Sequence, residues 1–106
     1  MKLAKERHMY VVCDKERIVG TGGIAGFWGS ITESILLTIF VLPEYQGKGI
    51  GRMLIAELLK FINDHGIPDT DIFIELCAMP DKIPFYEKFG FSANEAQRLR
   101  IMHHVD

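Results

Sequence analysis

A chain of 106 residues with 48% apolar side chains and a formal net charge of −2 is enough for a single domain with one hydrophobic core. The slight acidity excludes general affinity for nucleic acid, whose phosphates call for a basic surface. No apolar stretch approaches the roughly twenty residues that span a bilayer, and residues 1–9 lack the apolar centre of a secretory signal; the expectation is a cytoplasmic protein without a membrane partner.

In chain order, residues 10–14 read as a short strand, 15–17 as a turn, and 18–27 as a second strand loosened by Gly20, Gly22, Gly23 and Gly26, so the two make a hairpin. Gly29 and Ser30 turn the chain into residues 33–42, whose unbroken apolar run predicts a central strand covered on both faces. Residues 49–64 carry apolar side chains at Ile50, Leu54, Leu58, Phe61 and Ile62, the spacing of one helix face, and Gly66 and Pro68 end the helix. Residues 71–79 return as a strand, which makes a strand–helix–strand unit with parallel strands. A short helix over 84–88, a strand beginning at 89–93, a loop over 94–97 and a last strand over 99–105 complete the chain. Cys13 and Cys77 each lie in an apolar strand context without metal spacing or a secreted-type framework, so both are expected to be reduced and in the core. His103 and His104 are adjacent and point to opposite faces of a strand, and no metal site is expected.

The segment Gln46-Gly47-Lys48-Gly49-Ile50-Gly51-Arg52 stands between the central strand and the long helix. Three glycines let the backbone curl there, the first amides of the helix lack partners, and Lys48 and Arg52 add two positive charges. The pattern suits a diphosphate, because the helix dipole adds about half a positive charge at the same end. Spacing excludes two phosphate-binding loops: Lys48 is followed by Gly49 rather than Ser or Thr, and the third glycine of a dinucleotide fingerprint falls on Leu54.

The pattern Val41-x-Pro43-x-x-Gln46-Gly47-Lys48-Gly49-Ile50-Gly51 resembles the acetyl-CoA loop of the GNAT superfamily of N-acetyltransferases. Phe85-Tyr86-Glu87-Lys88-Phe89-Gly90-Phe91 is similar to that family's last short helix and following strand, in the right order and spacing. The resemblance extends over about residues 11–91 and implies an α/β fold, a central mixed β-sheet carrying a β-α-β acetyl-CoA-binding unit, within one domain spanning 1–106. It departs from the family at the start, where a strand and two helices usually precede the hairpin and only residues 1–9 are present, here expected as a remnant helix. Sheet surface left open by the missing helices predicts a homodimer or another partner chain.

The resemblance implies direct attack of an amine on the acetyl-CoA thioester. Its cofactor contacts would be Gln46, Gly47, Lys48, Gly49, Ile50, Gly51 and Arg52 around the diphosphate, with backbone of Ile39, Phe40 and Val41 along the pantetheine arm. An amide near Val41 would meet the developing oxyanion, a donor worth roughly 3 kcal/mol. An alkylamine of pKa about 10.4 costs about 4 kcal/mol to deprotonate at neutral pH. Glu33 is the candidate base, with Glu75 as a rival and a solvated strand-end glutamate as the alternative. Tyr86 is the candidate general acid for the departing sulfur, or else packs the short helix beside Phe85 and Phe89. Met79 stands where many relatives carry a cofactor-holding asparagine. The implied function is transfer of an acetyl group to a primary amine of a small molecule or protein. The alternative is a non-catalytic acyl-CoA-binding module or an incomplete subunit that needs a partner chain.

Overall fold

The structure, a computed structural model, describes residues 1–6, 9–25, 34–95 and 97–106. Glu33, Gly26 and Phe27 lie outside the described residues. Seven strands form one sheet in the order β1-β2-β3-β4-β5-β7-β6. They are β1 Lys2–Glu6, β2 Met9–Asp14, β3 Arg17–Ala25, β4 Ser34–Val41, β5 Asp71–Cys77, β6 Ser92–Glu95 and β7 Arg98–His104. Helix α1, Ile50–His65, connects β4 to β5, the pair that runs parallel, and the short α2, Ile83–Glu87, follows β5. This is the mixed α/β architecture the sequence implies.

Two expectations fail at the sheet. The remnant helix expected over residues 1–9 is not what Lys2–Glu6 forms: it is an edge strand antiparallel to β2, with Leu3 opposite Val12 and Lys5 opposite Tyr10. Pairing overrides the helical leaning of lysine, alanine and glutamate, because Leu3 then packs beside buried Val12 and Leu54 while the Lys5 ammonium sits 4.2 Å from the Phe61 ring. The central strand is not covered on both faces either. In β4, Ile35 and Leu37 are buried, but Leu36 is 40% and Phe40 56% exposed. α1 covers one face only. On the other face Met9 and Met102 are also about half exposed, and no described helix covers them.

The covered face explains the glycines of β3. α1 buries Ile50, Leu54, Ile55, Leu58, Phe61 and Ile62, all on one stripe, and lies close against the sheet. A Cβ at Gly20 would stand 2.9 Å from Ile50, and one at Gly22 would stand 3.1 Å from Leu58. Ile72, Ile74 and Leu76 from β5 and Leu99 from β7 complete the core, into which Tyr86 and Phe91 also fit.

Smaller corrections follow the same logic. The last hairpin begins at Ser92 rather than Phe89, and residues 94 and 95 belong to β6 rather than to a loop. Cys77 is exposed and Cys13 partly exposed, so neither is a core residue; both are free. Two strands separate β2 from β5, a gap of roughly 14 Å that no disulfide spans.

Candidate active site

The end of β4 and the start of α1 form a tight, pinned loop. Leu42 donates its amide to Val19 at 2.9 Å, and a 3-10 turn, Pro43–Tyr45, follows. The Tyr45 hydroxyl donates to Asp14 at 2.6 Å, while Arg17 pairs with Glu44 at 2.6 Å, so the β2–β3 hairpin holds the loop from one side. Gln46 holds it from the other. Its amide nitrogen donates to the Val41 carbonyl at 3.1 Å, and its carbonyl accepts from Lys82 at 2.6 Å. The Gln46 side chain is therefore a structural tie between β4 and the segment before α2. Lys82, which sequence reasoning missed, is the far end of that tie.

Gly47 and Gly49 have φ of +79° and +85°, a region that L side chains rarely enter. A Cβ on either would meet nothing within 4 Å, so open space lies in front of both. Gly49 caps α1, and the first intrahelical bond runs from the Met53 amide to the Gly49 carbonyl. The amides of Ile50, Gly51 and Arg52 are thus the unpaired donors of the first turn. Arg52 and Lys48 are exposed, and neither forms an ion pair among the described residues; the Lys48 ammonium lies 5.2 Å from the Tyr45 ring. Unpaired first-turn amides and the helix dipole lie beside open space, with two exposed cations on the same short segment, which is an arrangement that suits an anion.

Gly51 has a different reason from the one its motif implies. A Cβ there would approach Phe85 to 3.1 Å, so its missing side chain makes room for α2. Phe85 in turn packs edge-on against Phe89 and Tyr86.

Behind the loop the sheet splits. β5 pairs with β4 from Ser34 to Leu36 and no further, although β4 runs on to Val41. The unpaired edge of β4 beyond Leu36, which includes the predicted contacts Ile39, Phe40 and Val41, borders a cavity of about 240 Å³. Residues 36–39 of β4, Leu76 and Cys77 of β5, and Tyr86 of α2 line it. Tyr86 is only 9% exposed, and its hydroxyl has no hydrogen bond among the described residues. No fully buried polar side-chain atom among those residues is left without a partner, so this hydroxyl reaches accessible space, which the cavity provides. Burial pushes the phenol above its ordinary value, leaving it protonated and able to donate at neutral pH.

The predicted proton acceptors are less well placed. Glu33 lies outside the described residues. Glu75 projects onto the open face, where Arg100 donates to it from Nε at 2.9 Å and from its second guanidinium nitrogen, and Arg98 stands 3.8 Å away. That carboxylate is occupied. His103 lies 3.1 Å from the Asn63 side-chain oxygen, and His104 lies between Asp71 and Asp69 at 2.8 and 3.2 Å. No group of three or more potential metal ligands occurs among the described residues.

A mixed sheet split beside a glycine-rich helix start, with a buried tyrosine in the split, is the α/β arrangement that the resemblance implies. Comparison with known proteins gives the family: a model described as acetyltransferase (GNAT) domain matches residues 5–93, and the chain belongs to that family. A glucosamine 6-phosphate N-acetyltransferase of Trypanosoma brucei brucei is 36% identical over 59 residues, 56% of this chain and 37% of that protein. A ribosomal protein bS18 alanine N-acetyltransferase of Haemophilus influenzae is 31% identical over 62 residues, 58% of this chain and 41% of that protein. The matched stretch thus spans well under two thirds of either relative. Among solved structures, a phosphinothricin acetyltransferase from Sinorhizobium meliloti in complex with acetyl-CoA has the same fold. Its TM-score is 0.65 at 16% identity, covering 91% of this chain and 60% of that one.

Proposed function

We propose that this chain binds acetyl-CoA and transfers the acetyl group to a primary amine by direct attack. The observation that carries the reading is the cradle at Gly47–Arg52, where unpaired first-turn amides lie beside open space and Lys48 and Arg52 are exposed on the same segment. Acetyl-CoA supplies an activated acyl group as its thioester. The loop amides and the two cations hold its diphosphate, and the unpaired β4 edge at Ile39–Val41 receives the pantetheine arm as an added strand would. The Val41 amide stabilises charge on the thioester oxygen. Tyr86 gives its proton to the departing CoA sulfur, a role supported by its neutral phenol and its unpaired hydroxyl at the cavity. Of the two candidate bases, the engagement of Glu75 with Arg98 and Arg100 favours Glu33, acting through water on the incoming ammonium.

The acceptor belongs to the class of small-molecule or protein primary amines. The two relatives named above, one acting on an amino sugar phosphate and one on a protein alanine, bracket that class. The open sheet face supports a homodimer. Two free cysteines fit a reducing, cytoplasmic setting. A non-catalytic acyl-CoA-binding module is the second reading. It is favoured by Met79, 65% exposed where relatives carry asparagine, and by the direct passage from β1 to β2 with two residues between them.

Calorimetric titration with acetyl-CoA, followed by thiol release against a panel of amines on the same sample, separates the readings. Binding with amine-dependent release of CoA is expected. Binding without turnover selects the module, and no binding overturns both.

A further inference from the structure

We infer that Cys77 is a thiol-exchange site in the acyl cavity, one that takes CoA disulfide and becomes joined to CoA, closing the site until a reductant reopens it. This rests on the proposed use of the cavity for the sulfur end of CoA. Alternation along β5 sends Ile72, Ile74 and Leu76 into the core and leaves Cys77 exposed as the last residue of the strand. There β5 has parted from β4, and Cys77, a free cysteine, is one of the residues lining the split opposite the β4 edge. A second observation marks the same space as a ligand's: Tyr86, nine-tenths buried, lines it with a hydroxyl that no described residue satisfies.

A CoA sulfur placed for protonation by Tyr86 shares one small cavity with the Cys77 sulfur. CoA disulfide carries the diphosphate that the Gly47–Arg52 cradle would hold, so binding one half delivers its sulfur to Cys77 at high effective concentration. The Cys77 thiolate attacks that sulfur, the bond joining Cys77 to CoA forms, the bond between the two CoA halves breaks, and one CoA leaves as thiolate. A dithiol reverses the exchange. Occupation by the attached CoA excludes acetyl-CoA from the cradle and the split together. Cys13, on β2 and away from the cavity lining, is the internal control.

The test incubates the purified chain with CoA disulfide in the absence of reductant, follows intact mass, and maps the modified cysteine by peptide analysis of the unsubstituted protein. Acetyl-CoA binding is measured separately on the same preparation. One CoA is expected on Cys77, removed by dithiothreitol, slowed by saturating acetyl-CoA, retained in Cys13→Ser and lost in Cys77→Ser. The rate should exceed that with oxidised glutathione, which lacks the diphosphate, by at least about tenfold. Equal rates with the two disulfides, modification of Cys13 alone, or no protection by acetyl-CoA overturns the inference. Acetyl-CoA binding without an adduct overturns it and leaves the proposed function standing. Absence of both binding and selective modification overturns both.

Discussion

At the scale of single residues, Tyr86 and the loop glycines carry the sharpest expectations. Tyr86→Phe removes one hydroxyl and leaves the ring that packs against Phe85 and Phe91. Acetyl-CoA affinity should stay unchanged while acetyl transfer slows at least about tenfold, the loss of a proton donor, in a steady-state assay. An unchanged turnover rate would remove Tyr86 from the chemistry. The glycines divide in a way the motif hides. Gly49→Val forces a branched side chain into a left-handed conformation facing open space, so it should abolish acetyl-CoA binding in calorimetry while the core stays folded. Gly51→Val should act through Phe85, lowering the denaturation midpoint by displacing α2. Composition and spacing made both glycines legible as one motif. Only the packing of α2 assigned them different work, because Phe85 lies 34 residues away in sequence.

At the scale of elements, α1 was legible because its apolar residues repeat at helical spacing and its ends carry their own signals, Gly49 before it and Gly66 after it. The price of its close approach to β3 was not legible: Gly20 and Gly22 read as a loosened strand, yet they are where helix and sheet touch. Leu58→Ala, fully buried against Gly22, should cost about 2–5 kcal/mol in chemical denaturation. β1 was misread because residues 1–9 lack strong alternation and only the partner strand decides their conformation. The β5–β7 pair carries a titrating contact, His104 opposite Asp71 with Asp69 nearby. The hydrogen bond that His104 donates to the Asp71 carboxylate raises the His104 pKa above its ordinary 6.5. A raised folded-state value stabilises the fold fully below 6.5 and loses that contribution as pH climbs through the raised value. His104→Gln should therefore flatten the stability of the chain between mildly acidic and neutral pH, read as denaturant midpoint against pH. A wild-type profile with the opposite slope attributable to His104 would contradict the assignment.

At the scale of the whole molecule, one face of the sheet is packed by α1 and the other is covered by no helix among the described residues. Met9, Leu36, Phe40 and Met102 are 40–56% exposed, and the Glu75–Arg100 pair lies among them. Light scattering at micromolar concentration should return twice the chain mass of 12.1 kDa, and Phe40→Glu should shift it toward the monomer. A monomeric wild-type mass would remove the homodimer.

The sequence by itself determined α1, most of the strands and the glycine-rich loop before α1, because helix periodicity, glycine in left-handed turns and first-turn amides are properties of neighbouring residues. It also carried the family, through the loop and the Phe85–Phe91 segment. Tertiary structure alone decided that β4 is covered on one face, that Gln46 is tied to Lys82, and that Glu75 is engaged by two arginines. It alone brought Cys77 and Tyr86 to one cavity. Each of these joins residues from separate strands or helices, and the sheet order β4-β5-β7 that brings them together follows from how apolar faces are buried, which no local pattern encodes.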